Sequence, residues 1–113
     1  MAEQLPLMKG TVDMLVLKAL SWGPMHGFGI ATWLEQRSSG ALGLDDSAMY
    51  QVLHRLEGRG FVEAEWAVTD NNRNARYYKL TPEGRAYLRE TTANWLQYSA
   101  SVTSIVTSRS KAV

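Results

Sequence analysis

Met49, Val52, Leu53 and Leu56 in "SAMYQVLHRLEGRG" recur at three, four and seven, the spacing of one buried helical stripe. Ser47, Tyr50, Gln51, His54 and Arg55 fall off that stripe, toward solvent or a partner. Arg73 lies within the polar run "TDNNRN" and Arg76 just after it. These residue types hold anions. A phenol donates to a phosphate oxygen, and a guanidinium fork grips a phosphate or the edge of a guanine. An arginine carried on a loop is suited to a minor groove. Ser47 and Gln51 stand at the start of the helix, where free backbone N–H groups also favour phosphate. A plainer reading stays open beside this one. In it Tyr50 is partly buried and the arginines form surface ion pairs with Glu57, Glu63 or Glu65. Asn72 and Asn74 serve as well in a turn as on a base.

Other chemistries find less support. The chain has no cysteine, which excludes disulfides, zinc fingers and thiol nucleophiles. His26 and His54 share no helical turn and have no obvious carboxylate partner, so no metal site is expected; His26 is expected to hydrogen-bond locally in its loop. Asp45 and Asp46 are adjacent, and their place before a helix explains them as caps rather than as an acid–base pair. No enzyme activity and no cofactor are expected.

The elements that must position these residues are legible in the same way. The 113 residues, 45% of them hydrophobic, suit one domain that gains from burial between subunits. "GTVDMLVLKALSWGP" predicts a helix from about Thr11 to Ser21, dense enough in apolar residues to be central, and broken by Gly23 and Pro24. "HGFGIATWLEQRS" predicts a second helix, with Ile30, Ala31 and Leu34 on one face. The third begins after a cap at Asp45, Asp46 or Ser47 and stops where Gly60 permits a left-handed residue. Two strands follow, about Phe61 to Val68 and Ala75 to Leu80. In the first, Val62, Ala64, Trp66 and Val68 alternate as on a half-buried face. "TPEG" starts the last helix, with Thr81 as N-cap, Pro82 in the first turn and Glu83 favourable to the dipole. That helix runs to about Thr107, and the tail "SRSKAV" is expected to fray.

The order predicts a mainly α fold with a small β-hairpin: a winged helix-turn-helix over residues 1–80, then a C-terminal dimerisation helix and short tail over 81–113. The third helix would be the recognition helix and the hairpin the wing. In the last helix Leu88, Trp95 and Val102 recur at sevens, interleaved with Thr92, Ser99 and Val106, which predicts a heptad seam between two copies. Its small members leave room for a flat ligand beside Trp95, with Tyr98 and Met8 helping to line the space. Trp22, Trp33 and Trp66 are expected to be core or packing residues. The longest aliphatic run, Met14 to Leu17, is too short to span a membrane, and "MAEQLPLMKG" lacks the apolar core of a secretory signal. A cytoplasmic location is therefore expected.

Four stretches, "KGTVDMLVLKAL", "GPMHGFGI", "MYQVLHRLEGRGFVEAEW" and "RYYKLTPEGRAYL", resemble the PadR family of bacterial transcriptional regulators, in the family's order and across most of residues 9–89. The short length and single C-terminal helix are similar to its smaller subfamily. The resemblance implies a homodimeric repressor on an inverted-repeat operator, released in some members by a phenolic or other planar hydrophobic compound. The chain departs from the usual pattern at the recognition helix. Gln51 stands where Pro is frequent, Ala48 where Ser or Thr is common, and the wing "DNNRNAR" is rich in asparagine. The expected partners are double-stranded DNA, a second copy of the chain and a planar hydrophobic effector. A net charge of +1 decides nothing about DNA. The alternative from another class is a winged-helix adaptor that binds protein and not DNA.

Overall fold

The computed structural model of the chain describes residues 4–8 and 10–109. Of the tail expected to fray, residues 110–113 lie outside that range. The order is α1 (Val12–Leu20), β1 (Met25–His26), α2 (Gly27–Arg37), α3 (Asp46–Gly58), β2 (Val62–Val68), β3 (Asn74–Leu80) and α4 (Pro82–Val106). The fold is mainly α with a small sheet, and the predicted helices and hairpin are present.

α1 is central, as its composition predicts. Val16, Leu17, Ala19 and Leu20 are buried, and the helix packs against α2, α3 and α4. Ile30 and Leu34 cover it from α2, and the stripe Met49, Val52, Leu53 and Leu56 from α3. Val62, Tyr78, Leu80 and Leu88 close the core from the sheet and α4. Each fully buried aliphatic side chain contributes about 1.5–3 kcal/mol, so the stripe alone fixes how α3 is rolled and which of its residues face outward.

The sheet corrects one expectation. His26, expected in a loop, forms with Met25 a strand that pairs antiparallel with Tyr77 and Tyr78, giving the order β1-β3-β2. A strand of two residues is too short to show any periodicity. His26 does bond locally: its Nδ1 accepts from the Gly29 N–H at 2.9 Å and caps α2.

α3 ends as Gly60 predicts. Gly60 is left-handed at φ +79°, its N–H donates to the Glu57 carbonyl at 3.0 Å, and the Phe61 N–H donates to the Leu56 carbonyl at 3.0 Å. This paired closure satisfies the last carbonyls of the helix and turns the chain directly into β2.

The start of α4 is locked onto that turn. The buried Thr81 donates from its hydroxyl to the Gly60 carbonyl at 2.7 Å and accepts from the Gly84 N–H at 3.0 Å. Its own N–H donates to the Phe61 carbonyl at 3.1 Å. Gly84 sits so close that a Cβ there would overlap the Phe61 carbonyl oxygen and lie 2.9 Å from its carbon. The Phe61 and Tyr87 rings stack at 4.4 Å, and the Arg59 guanidinium lies over both, 4.7 and 5.0 Å from their centroids. The end of the third helix and the start of the last thus form one joint.

Candidate nucleic-acid interface

Because the apolar stripe of α3 faces the core, the opposite side carries Ser47, Gln51, His54 and Gly58, four, three and four residues apart and all exposed. No carboxylate interrupts that row. Tyr50 borders it, 62% exposed, its ring stacked on His54 at 5.9 Å and 10°. His54 was not among the expected contacts, although its place three residues after Gln51 and seven after Ser47 is readable from spacing alone. Of the three cap candidates, Asp45 takes the role, accepting from the Ala48 N–H at 2.8 Å. That leaves the Ser47 hydroxyl on the open face.

The wing lies beside this helix. Tyr50, Asp46, Arg73, Asn74 and Arg76 border a cleft of about 560 Å³ between them, floored by Met49, Leu53 and Tyr78. At the tip, the Thr69 N–H donates to the Arg73 carbonyl at 2.8 Å, and the Asn72 N–H to the Thr69 carbonyl at 2.9 Å. Asn72 is left-handed at φ +59°, a conformation asparagine tolerates better than most residues, and so builds the turn. Asn74 opens β3 opposite Val68.

The arginines have different surroundings. Arg55 pairs with Asp13 of α1. Arg76 pairs with Glu57, its Nη2 donating at 2.9 Å, one of the ion pairs the plainer reading allowed. It also lies over the Tyr78 ring at 5.8 Å. Burial pushes the Tyr78 phenol above its ordinary pKa, while the neighbouring Arg76 charge pulls it down. Arg73 is exposed and makes no ion pair among the described residues.

Two tryptophans depart from expectation. Trp33 packs against the core as expected. Trp22 is 62% exposed and rests on the surface, 6.5 Å from Trp33, with Arg37 over both rings. Trp66 is 70% exposed. The alternation of β2 is present, but only Val62 is buried and Ala64 half-buried, because the outer half of the hairpin extends past the helices that would cover it.

On α4 only Gly84 and Leu88 are buried. Thr92, Trp95 and Ser99 are half-buried, whereas Val102 is 40% and Val106 72% exposed. Tyr98 lies 6.5 Å from Trp95, and with Ile105 it widens the exposed apolar stripe. Met8 is also exposed. Among the described residues no helix is long and apolar enough to cross a membrane, and no cluster of metal-ligating side chains is present.

The model of the transcriptional regulator PadR-like family matches residues 16–90, from the middle of α1 to the first turns of α4. The chain belongs to that family. A transcriptional regulator of Mycobacterium tuberculosis is 34% identical over 83 residues, covering 73% of each chain. The crystal structure of a PadR family regulator from Eggerthella lenta is 28% identical, with a TM-score of 0.76 over 89% of this chain and 86% of that one. A structure from Streptococcus mutans shares the fold at a TM-score of 0.82 and 22% identity, over 98% of this chain and 100% of that one. The PadR-like chain is accordingly a transcriptional regulator with a winged-helix fold, and not an enzyme.

Proposed function

We propose that this PadR-like regulator acts in the cytoplasm as a homodimeric repressor on an inverted-repeat operator. Residues 1–80 grip the DNA, and the C-terminal helix of the segment 81–113 pairs the two copies. The observation that carries the reading is the carboxylate-free row Ser47, Gln51, His54 and Gly58, bordered by Tyr50 and by a wing arginine, Arg73, with no ion pair of its own among the described residues. In this reading α3 enters a major groove, with Ser47 and Gln51 at its leading end. Tyr50 donates to a phosphate, and Arg73 reaches a phosphate or the minor groove. Arg76 and Arg55 add charge from the flanks; each guanidinium has five N–H donors, so an ion pair does not exhaust it. Occupancy of a promoter then blocks transcription.

The test is a titration of a duplex carrying the gene's own upstream region at several salt concentrations. Tyr50→Phe and Arg73→Ala are each expected to weaken binding by roughly 1–3 kcal/mol with the fold intact. Arg73→Ala is also expected to reduce the salt slope by about one if it holds a phosphate. Unchanged affinity and slope in both variants would favour the protein-binding adaptor.

Pairing of the copies is supported by the stripe Thr92, Trp95, Ser99, Val102 and Val106; Leu88, expected at its head, is already buried in the chain's own core. A planar hydrophobic effector is the remaining part of the reading. Two facing Trp95 indoles in a seam of small residues would sandwich it, and stacking needs no charged group. Such a ligand releases DNA only by binding the DNA-incompetent arrangement more tightly. Planar aromatics are expected to quench the parent's tryptophan emission more than that of Trp95→Ala. Equal quenching, with equal release of the operator, would place the pocket elsewhere.

A further inference from the structure

Trp66 is the most exposed of the tryptophans whose exposure stands out on this surface, and the one without a stacking partner among the described residues. Trp22, also exposed, has the Arg37 guanidinium over its ring and Trp33 beside it. An indole offers a large apolar area, and leaving one open to water on an edge strand forgoes its burial and invites association.

The register of the hairpin shows what surrounds it. Val62, Ala64, Trp66 and Val68 of β2 face Leu80, Tyr78, Arg76 and Asn74 of β3. Directly opposed residues project from the same side of a sheet. That side carries no carboxylate of its own. Glu63 and Glu65, the acidic residues of β2, are opposed to Lys79 and Tyr77 and project from the other side. The hairpin thus separates its charge: one side acidic on β2, the other with an indole beside a guanidinium. Arg76 ties the second side to α3 through Glu57, so Trp66 belongs to the side from which the wing meets the recognition helix.

We propose that Trp66 is a DNA-contacting residue, its indole packing against deoxyribose while Arg76, across the ladder, holds the adjoining phosphate. This rests on the DNA-binding reading and adds to it a contact that salt does not screen. Opposed side chains on antiparallel strands have Cβ atoms about 4.5–5.5 Å apart, close enough for the pair to share one stretch of backbone. The Glu57 carboxylate takes the Nη2 donor of Arg76 and leaves other guanidinium donors free. Sugar packing carries no base information, so the contact strengthens specific and non-specific binding alike.

The experiment titrates the full chain and its Trp66→Ala and Trp66→Phe variants with the upstream duplex and with an unrelated duplex of equal length, across a range of salt. Trp66→Ala is expected to lose affinity on the order of tenfold to a hundredfold for both duplexes, as for the loss of an aromatic's burial. The slope of affinity against salt is expected to stay the same. Trp66→Phe is expected to bind within a few-fold of the parent while losing most of the change in tryptophan emission that DNA causes. Parental affinity in Trp66→Ala, or an emission change that survives in Trp66→Phe, would overturn the proposal. So would a loss of affinity accompanied by a change in sedimentation, which would assign the indole to a contact between copies. Failure of the unmodified chain to bind either duplex at low salt would refute the DNA-binding reading itself.

Discussion

Replacing Gly84 with alanine is expected to destabilise the protein by about 3 kcal/mol, the upper end of overpacking costs. The added Cβ meets the Phe61 carbonyl, and that carbonyl cannot retreat easily. It accepts from the Thr81 N–H at 3.1 Å, and Phe61 itself closes α3 through its own N–H. Moving α4 outward instead would separate Tyr87 from Phe61 and strip Leu88 from the core. Alanine is the better helix former by about 1 kcal/mol, so the net loss understates the clash. Thermal denaturation checks this, with a fall in Tm on the order of 10–20 °C. A variant that melts with the parent would show that the joint yields without cost.

In the proposed dimer, placing glutamate at both Val102 and Ile105 is expected to raise the dissociation constant on the order of a thousandfold, about 4 kcal/mol. Both positions are open to water in the single chain. Val102 is 40% and Ile105 73% open to water there, so the substitutions leave the isolated fold intact. In a pair of helices joined along this stripe the same positions lose their water, and like charges meet. Operator affinity should fall with the dimer, because one copy reaches only one half-site. Sedimentation and circular dichroism together decide the matter: monomers with the parental helix content are expected. A variant that remains a dimer would show that the copies pair through some other surface.

Which parts of this molecule were legible in its sequence follows from how locally each is determined. Gly60 announces the end of α3, and "TPEG" the start of α4, because a left-handed residue and an N-cap are matters of a few adjacent residues. The roll of α3 followed from the spacing of its apolar positions. It placed Ser47, Tyr50, Gln51 and His54 on the open side, although His54 was not counted among the DNA contacts. The partners of the arginines were harder to see. Arg55 and Asp13 are 42 residues apart, and nothing near either announces the other. Arg76 had three glutamates within plausible reach, and only the packing of the hairpin against α3, chiefly through β2, selects Glu57. The strand Met25–His26 exists because β3 offers it an edge, a property of the assembled sheet. Trp66 was misjudged for a related reason. Alternation says which side of a strand a residue takes, but not where along the strand the covering helices stop.

The rigid seating of α4 against Phe61 has a consequence for how this chain tolerates insertions. A single residue added between Leu88 and Trp95 would turn everything beyond it by about 100° around the helix axis, while Gly84 and α3 stayed put. The two halves of a dimer would then meet along a polar side, or present their recognition helices in the wrong direction. An insertion of seven residues would restore the direction to within about 20° and lengthen the helix by roughly 10 Å. Changes in the length of this helix that keep the protein working are therefore expected to come as whole heptads, each accompanied by a matching change in the distance between operator half-sites.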